Sequence, residues 1–406
     1  MINKQQILEG SRAIALTIKN IRPAVVSAYP ITPQTHIVED LAMFKSNKEA
    51  DYEYVRAESE FAAASIVAGA AATGVRTYTA TSSQGLLLMA EVMYNIAGMR
   101  LPVVLTCANR AVSAPINIWN DQQDAMAVRD AGWIMLFAEN LQETVEQHVL
   151  AFKIAEKLMI PVMLNVDGFV LTHSYEPVII PDEKTIKKFL PPYKPAKGTY
   201  LDPANPVTLG AFASPAHYME IREELHRDIL STKKILNDEH LNYKKTFQIS
   251  NFQFPISNKM SNPQFQNGLI EYYGPANPEI ILVAMGSVIG TIKDAVDELN
   301  TVKHFKLHKP VGVLKIKCFR PFPGEEIIKI LSRAKNIAVL DKSISLGQMG
   351  PLAMDIKSIA QGRLKQKILS YIVGLGGRDI TKQMVKKIIG ETAKEKSGGA
   401  VFVGKM

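Results

Sequence analysis

The chain has 406 residues, too many for one small module, with 47% hydrophobic and 21% charged residues, an ordinary globular balance that excludes a disordered or fibrous chain. Two cysteines, Cys107 and Cys318, are too few for a cysteine-ligated iron–sulfur cluster, a zinc site or a disulfide scaffold. The net charge is +8, but its lysines fall in separate runs (184–188, 233–245, 382–405) without interleaved aromatics, a pattern of solvated basic faces rather than a nucleic-acid platform.

The first 170 residues alternate short apolar runs with helical patterns. Val25–Tyr29, Tyr52–Val55, Thr77–Thr81, Val103–Cys107, Trp133–Phe137 and Val162–Val166 read as strands. The stretches 33–45, 58–73, 85–98 and 141–158 read as helices. Such βα units build a largely parallel sheet, whose ligands sit at the carboxyl ends of the strands. The loops after Tyr29, Val55, Thr81 and Cys107 are therefore the ones to inspect. From 170 to 268 the rhythm breaks into Pro-rich loops, a charged helix over 216–241, and a polar stretch read as a linker or insertion. A second α/β unit follows, with strands at Ile280–Ala284, Val311–Ile316, Ile337–Leu340 and Ile368–Val373 and helices near 288–299, 324–333, 350–362 and 381–390. The boundaries expected are 1–246, a linker at 247–268, and 269–406. The longest apolar run, Phe61–Ala72, is too short to span a bilayer, and the first ten residues lack a signal-peptide core, so a cytoplasmic protein is expected.

Four segments carry chemistry at those loops. In Ala28–Thr35 (AYPITPQT), Thr32 suits a helix N-cap and Pro33 a first helical position, which makes either a plain cap or an anion-receiving helix start. In Glu58-Ser59-Glu60, two carboxylates begin a helix. They either complement its dipole or place one partly desolvated acid beside Phe61–Ala64. The turn Thr79–Gly85 is rich in hydroxyls that either cap or line a pocket. Arg110 ends a strand and opens the loop to Asp124, where it is either a surface cation or a carboxylate grip. Other patterns fail: Gly374–Asp379 lacks the last glycine of a dinucleotide fingerprint, and His304 and His308 belong to no HExxH motif.

Taken together, YPITPQT, ESE, TSSQG and NR…SAPINIWNDQQD resemble the α subunits of pyruvate:ferredoxin (flavodoxin) oxidoreductases, in the 2-oxoacid:acceptor oxidoreductase family. The segments LDP (201–203), AHYMEIR (216–222), FRPFP (319–323) and GLGGRD (374–379) extend the likeness along most of the chain. The resemblance implies a doubly wound, pyrimidine-type thiamine diphosphate-binding domain followed by a transketolase C-terminal-like α/β domain. It implies that Glu60 hydrogen-bonds the cofactor's aminopyrimidine ring, with Pro30 and Ile31 beside the cofactor, and that Thr32 and Arg110 hold the 2-oxoacid. Asn117 is a further substrate-side position, and the stretch from Asn117 to Asp124 would shape the pocket or the subunit contact. Only Val166-Asp167-Gly168 approaches the family's Mg²⁺- and diphosphate-binding motif, and its asparagine partner is missing. Diphosphate, Mg²⁺ and an iron–sulfur cluster are therefore expected on a β subunit. Further γ/δ-type subunits and an acidic carrier, ferredoxin or flavodoxin, would take the electrons. Coenzyme A is the implied co-substrate. Branched-chain 2-oxoacids are the rival substrates, and a non-catalytic structural subunit the rival role.

Overall fold

The computed structural model describes residues 4–247, 261–301, 310–394 and 399–405. The chain runs β1 (Gln6–Glu9), α1 (Gly10–Ile21), β2 (Val25–Ala28), α2 (Thr35–Ser46), β3 (Glu53–Arg56), α3 (Glu60–Ala72), β4 (Thr77–Thr81), α4 (Ser83–Leu88), α5 (Ala90–Gly98) and β5 (Val104–Asn109). It continues through α6 (Gln123–Ala127), β6 (Ile134–Phe137), α7 (Leu141–Leu158), β7 (Val162–Asp167), β8 (Tyr175–Val178), α8 (Glu183–Phe189) and α9 (Pro215–Phe247). The rest comprises β9 (Ser261–Gln266), β10 (Ile270–Tyr273), β11 (Ile280–Ala284), α10 (Val288–Thr301), β12 (Val311–Ile316), β13 (Cys318–Arg320), α11 (Gly324–Leu331), β14 (Asn336–Asp341), α12 (Pro351–Ala360), β15 (Lys367–Ile372), α13 (Lys382–Ala393) and β16 (Ala400–Phe402).

Two seven-stranded sheets organise these elements. The first has the order β13-β6-β7-β5-β4-β2-β3 and is parallel apart from β13. The chain moves from β2 outward to β3, then returns to β4 on the other side of β2, so its switch point lies between β2 and β4. That crevice is where an open α/β sheet receives a ligand. The second sheet, β16-β15-β14-β11-β12-β10-β9, is parallel except for β10 and β9. Its strands bury both faces: Ile281 and Val283 of β11 join the core shared with the first sheet, while Ile280, Leu282 and Ala284 pack on the outer side with Val385 and Ile388.

Several expectations shift. The segment read as linker, 247–268, divides: Phe247 ends α9, residues 248–260 lie outside the described residues, and Ser261–Gln266 form the edge strand of the second sheet. The helix expected over 85–98 is two helices meeting at Met89. His304 and His308 also lie outside the described residues. Strand β13 completes the first sheet by pairing with β6, so that sheet borrows an edge from far along the chain. Among the described residues, no helix is long and apolar enough to cross a membrane.

A buried ionic cluster joins the two sheets. The Lys315 ammonium lies 2.6 Å from Glu139 and 2.8 Å from Glu143, while Lys293 lies 2.9 Å from Glu139 and 2.8 Å from Glu271. Although burial alone disfavours the charged amine, these carboxylates hold the Lys315 pKa well above its ordinary value. Removing one member strands the others in a medium that solvates them poorly. Lys315→Ala is expected to lower unfolding stability by about 3–5 kcal/mol, measured by denaturant titration; a loss below ~1 kcal/mol would mean water reaches the cluster.

Candidate active site

Four loops at the carboxyl ends of β2, β3, β4 and β5 surround the switch-point crevice. The loop after β2 holds Pro30, Ile31 and Thr32. The expected helix start at Pro33 is not formed: the Thr32–Pro33 peptide is cis, and α2 begins at Thr35 after a turn in which Gln34 N–H donates to Ile31 O at 2.8 Å. Thr32 is thus no N-cap. It is exposed, and its carbonyl is engaged instead. Gln34 fastens the loop, accepting from Ile31 N–H at 3.2 Å and donating from Nε2 to Ala80 O at 2.8 Å. Pro30 is exposed and Ile31 half-buried at the mouth.

After β3, Ser59 caps α3 by accepting from Ala62 N–H at 3.2 Å, which puts Glu60 in the first helical turn. Burial separates the two acids of this motif: Glu58 is exposed, while Glu60 is only 7% exposed. The Glu60 carboxylate has no hydrogen-bond partner among the described residues and lies against Gly85, where a Cβ would stand 2.6 Å from its Oε1. The absence of a side chain at Gly85 makes room for it. Thr81 Oγ1 borders the same position and is buried without a partner among the described residues.

Arg110, at the end of β5, is 9% exposed and crosses to the β2 loop, donating from Nη1 to Thr32 O at 2.9 Å and from Nε to Asn117 O at 3.2 Å. Its Nη2 has no partner among the described residues, which leaves one edge of the guanidinium to receive an anion. Burial lowers the Arg110 pKa, opposed by the nearby Asp124 charge. Asn117 offers Arg110 its backbone carbonyl; its side-chain amide instead donates to Gly376 O at 3.1 Å, and its Oδ1 accepts from Trp119 N–H at 2.7 Å. The second α/β unit therefore grips the 117–121 loop through its Gly374–Gly377 turn, with Gly377 N–H donating to Asn120 O at 2.7 Å.

The residue that organises these loops was not singled out from sequence. Asp124 is fully buried. Its Oδ2 accepts from Ser83 N–H at 3.0 Å and Arg110 N–H at 2.9 Å, and its Oδ1 from Asn109 Nδ2 at 3.0 Å. Burial raises its pKa, and these donors oppose the rise. The near-motif Val166-Asp167-Gly168 also acquires a definite role. Asp167 accepts from Gln122 Nε2 at 2.9 Å, from Ser287 N–H at 2.8 Å and from Lys342 Nζ at 2.9 Å. Its carboxylate is thus spent on joining the two units. Gly168 is fixed by close packing, since a Cβ there would meet Asn109 O and Pro33 Cγ.

A family model described as pyruvate flavodoxin/ferredoxin oxidoreductase, thiamine diphosphate-binding, matches residues 17–240. A second, pyruvate:ferredoxin oxidoreductase core domain II, matches residues 278–385. The chain belongs to the pyruvate flavodoxin/ferredoxin oxidoreductase family. It is 46% identical to the pyruvate synthase subunit PorA of Methanocaldococcus jannaschii, over 98% of this chain and 97% of the relative. It is 45% identical to that of Methanosarcina barkeri, over 98% and 94%. Against the ketoisovalerate oxidoreductase subunit VorA of Pyrococcus abyssi the identity is 39%, over 96% and 94%. The fold is shared with a 2-oxoglutarate:ferredoxin oxidoreductase of Magnetococcus marinus at a TM-score of 0.68 and 18% identity, covering 96% of this chain and 65% of that longer one.

The first α/β unit is the thiamine diphosphate-binding part of this family. The residues present fit the cofactor, because Glu60, 7% exposed, offers an unpaired acceptor beside a glycine. Asp124→Ala is expected to orphan three buried N–H groups, lowering unfolding stability by about 3 kcal/mol or more; a denaturation midpoint matching the parent's would exclude the clamp.

Proposed function

We propose that the chain is the α-type catalytic subunit of a CoA-dependent 2-oxoacid oxidoreductase acting on pyruvate: pyruvate + CoA + 2 oxidised one-electron carriers ⇌ acetyl-CoA + CO₂ + 2 reduced carriers + H⁺. The observation that carries the reading is Glu60, a buried carboxylate with no internal partner, placed in the same crevice as the Arg110–Thr32 pair. The choice of pyruvate is supported by the identity of 41–46% to pyruvate synthase subunits against 39% to the ketoisovalerate-type subunits.

Thiamine diphosphate, when bound, supplies the electron sink that lets a 2-oxoacid lose CO₂. The chain's own residues would contribute placement and proton control. Glu60 would accept a hydrogen bond from the pyrimidine ring nitrogen and hold a proton there. The free edge of Arg110 would take the substrate carboxylate, and the Thr32 hydroxyl would face the neighbouring carbonyl. Pro30 and Ile31 would form the wall beside the cofactor. The Asn117 amide is engaged elsewhere, so that residue acts by supporting Arg110.

The relatives are subunits, and this chain likewise works as one subunit of a larger enzyme. With two buried cysteines it has no ligand set for an iron–sulfur cluster. Clusters, Mg²⁺ and the diphosphate grip are assigned to a β subunit, with γ/δ-type subunits passing electrons to ferredoxin or flavodoxin in the cytoplasm. In the complex purified with its copurifying subunits under anaerobic conditions, pyruvate is expected to support CoA-dependent reduction of a viologen dye faster than 2-oxoisovalerate. The reverse order would assign the branched-chain reading. Glu60→Ala should cost at least about a hundredfold in kcat, using the usual scale of acid–base contributions; unchanged turnover would make this a structural subunit. Arg110→Ala should depress kcat/KM for pyruvate by about tenfold or more, the scale of a lost charge-assisted hydrogen bond, and an unaltered value removes its carboxylate role.

A further inference from the structure

Among the described residues, one group of three histidine, cysteine or acidic side chains brings its donor atoms within reach of a single ion. Glu9, His36 and His173 have ligating atoms that all lie within 4.8 Å of one another. Their positions follow no local spacing motif, and the fold alone assembles them. Glu9 ends β1, which pairs with β8 so that Glu9 stands opposite Tyr175, and Gly10 N–H donates to Ser174 O at 3.1 Å. This pairing carries His173, just before β8, to the start of α1. Helix α2 lies along α1, where Arg12 meets Asp40 at 2.6 Å, and His36 sits in its first turn.

The donor atoms are arranged as a metal would need them. Glu9 Oε1 stands 2.7 Å from His36 Nδ1, and the His36 and His173 rings lie with centroids 4.6 Å apart. His173 Nδ1 meets Thr172 Oγ1 at 2.7 Å, and that hydroxyl also accepts from Phe169 N–H at 2.8 Å, which fixes it in place. A histidine whose Nδ1–H is taken by such an outer partner presents the lone pair of Nε2. His173 Nε2 has no partner among the described residues, so that lone pair is free. Asp40, one turn along α2 from His36, is occupied by Arg12. Two imidazoles and one carboxylate form a nitrogen-rich set that suits zinc and its neighbours rather than magnesium or calcium. Tetrahedral zinc holds its ligands about 3.3 Å apart. His36, 48% exposed, and Glu9, 21% exposed, have the freedom to close on an ion.

We propose that Glu9, His36 and His173 form a site for a divalent metal of the zinc type, with water as the fourth ligand. None of the three belongs to the residues assigned to the reaction, and the role of the ion is mechanical. His36 lies in the first turn of the helix that follows the Thr32–Gln34 loop. His173 closes a turn in which the Phe169 ring packs on Trp119 at 4.4 Å and on His173 at 4.7 Å. Gly168 of the same turn lies against Pro33 and Asn109. An ion held by these three side chains ties the starts of α1 and α2 to that turn, and so steadies two segments that border the crevice.

The test is titration of the full chain, stripped with EDTA and dialysed, with Zn²⁺ in competition with a chromophoric chelator, and with Co²⁺ as a coloured substitute. One Zn²⁺ per chain is expected to bind at micromolar concentration or below, and Co²⁺ should give the intense visible bands of a tetrahedral site. His36→Gln and Glu9→Gln should each weaken Zn²⁺ by at least about a hundredfold, since even an outer partner of a ligand is worth ten- to a hundredfold. Zn²⁺ should raise the thermal midpoint of the parent but of neither variant. Failure to bind Zn²⁺ at micromolar concentration overturns the proposal and leaves Glu9 and His36 as a hydrogen-bonded pair. Equal affinity in parent and variants overturns it too, because the ion would then sit elsewhere. Should a variant fail to fold, the parent's Co²⁺ spectrum decides: the pale bands of an octahedral ion, or displacement of Zn²⁺ by millimolar Mg²⁺, would exclude ligation by the two imidazoles.

Discussion

Strands that end in a parallel sheet leave their next backbone N–H groups pointing into a crevice with no ladder to receive them. At this crevice that demand is met by Asp124. Its two oxygens take the N–H groups of Ser83 and Arg110 and the Asn109 amide, so the turns after β4 and β5 end on one carboxylate. Both side chains of the proposed site, Arg110 and Glu60, inherit their positions from it. Arg110 carries one of the bonded N–H groups, and Ser83 stands two residues before Gly85, against which Glu60 lies. A buried carboxylate is costly, and it is tolerated here because every lone pair that faces inward meets a donor.

The second α/β unit is held on the first by charge as much as by apolar contact. Asp167 meets Lys342 and Ser287 at one point, and the Lys293–Lys315 cluster meets Glu139 and Glu143 at another. Buried ion pairs add little net stability over apolar packing, but they tolerate few arrangements. Two such points fix the orientation of one unit on the other. The consequence for the crevice is direct: the Gly374–Gly377 turn reaches Asn117, Asn120 and Asp121, and the Asn117 carbonyl in turn steadies Arg110. Burial pushes the Asp121 carboxyl up to about 6, with the N–H groups of Gln123 and Gly376 opposing that rise.

The alternation of strands and helices, and so the four loops of the crevice, was legible because hydrophobic period distinguishes the elements and strand polarity places the loops. What was not legible depends on contacts between distant residues. Glu58 and Glu60 are equivalent in the sequence, and only the cap at Ser59 and the space at Gly85 bury one of them. Thr32 before Pro33 has the local signature of a helix start, but the Ile31–Gln34 turn comes first and the helix begins at Thr35. Asp124 was legible only as the end of a stretch that would shape the pocket, not as its clamp, since its donors come from segments up to 41 residues away. Strand β13 has three residues and a partner about 180 positions earlier, beyond the reach of any local pattern.

Three buried acids of the two units are each met by donors from other segments. Asp124 is matched by the donors of three residues besides its own neighbour, Asp167 by Gln122, Ser287 and Lys342, and Asp341 by the N–H groups of Leu352 and Ala353 at the start of α12. Glu60, at 7% exposure, differs from these three in having no hydrogen-bond donor among the described residues. A carboxylate left without a donor is open to one that a ligand brings. The Arg110 guanidinium shows the complementary pattern, with one edge committed to backbone carbonyls and the other unassigned. On the proposed reading, this unpaired acceptor and unpaired donor edge would be met by a cofactor N–H and a substrate carboxylate.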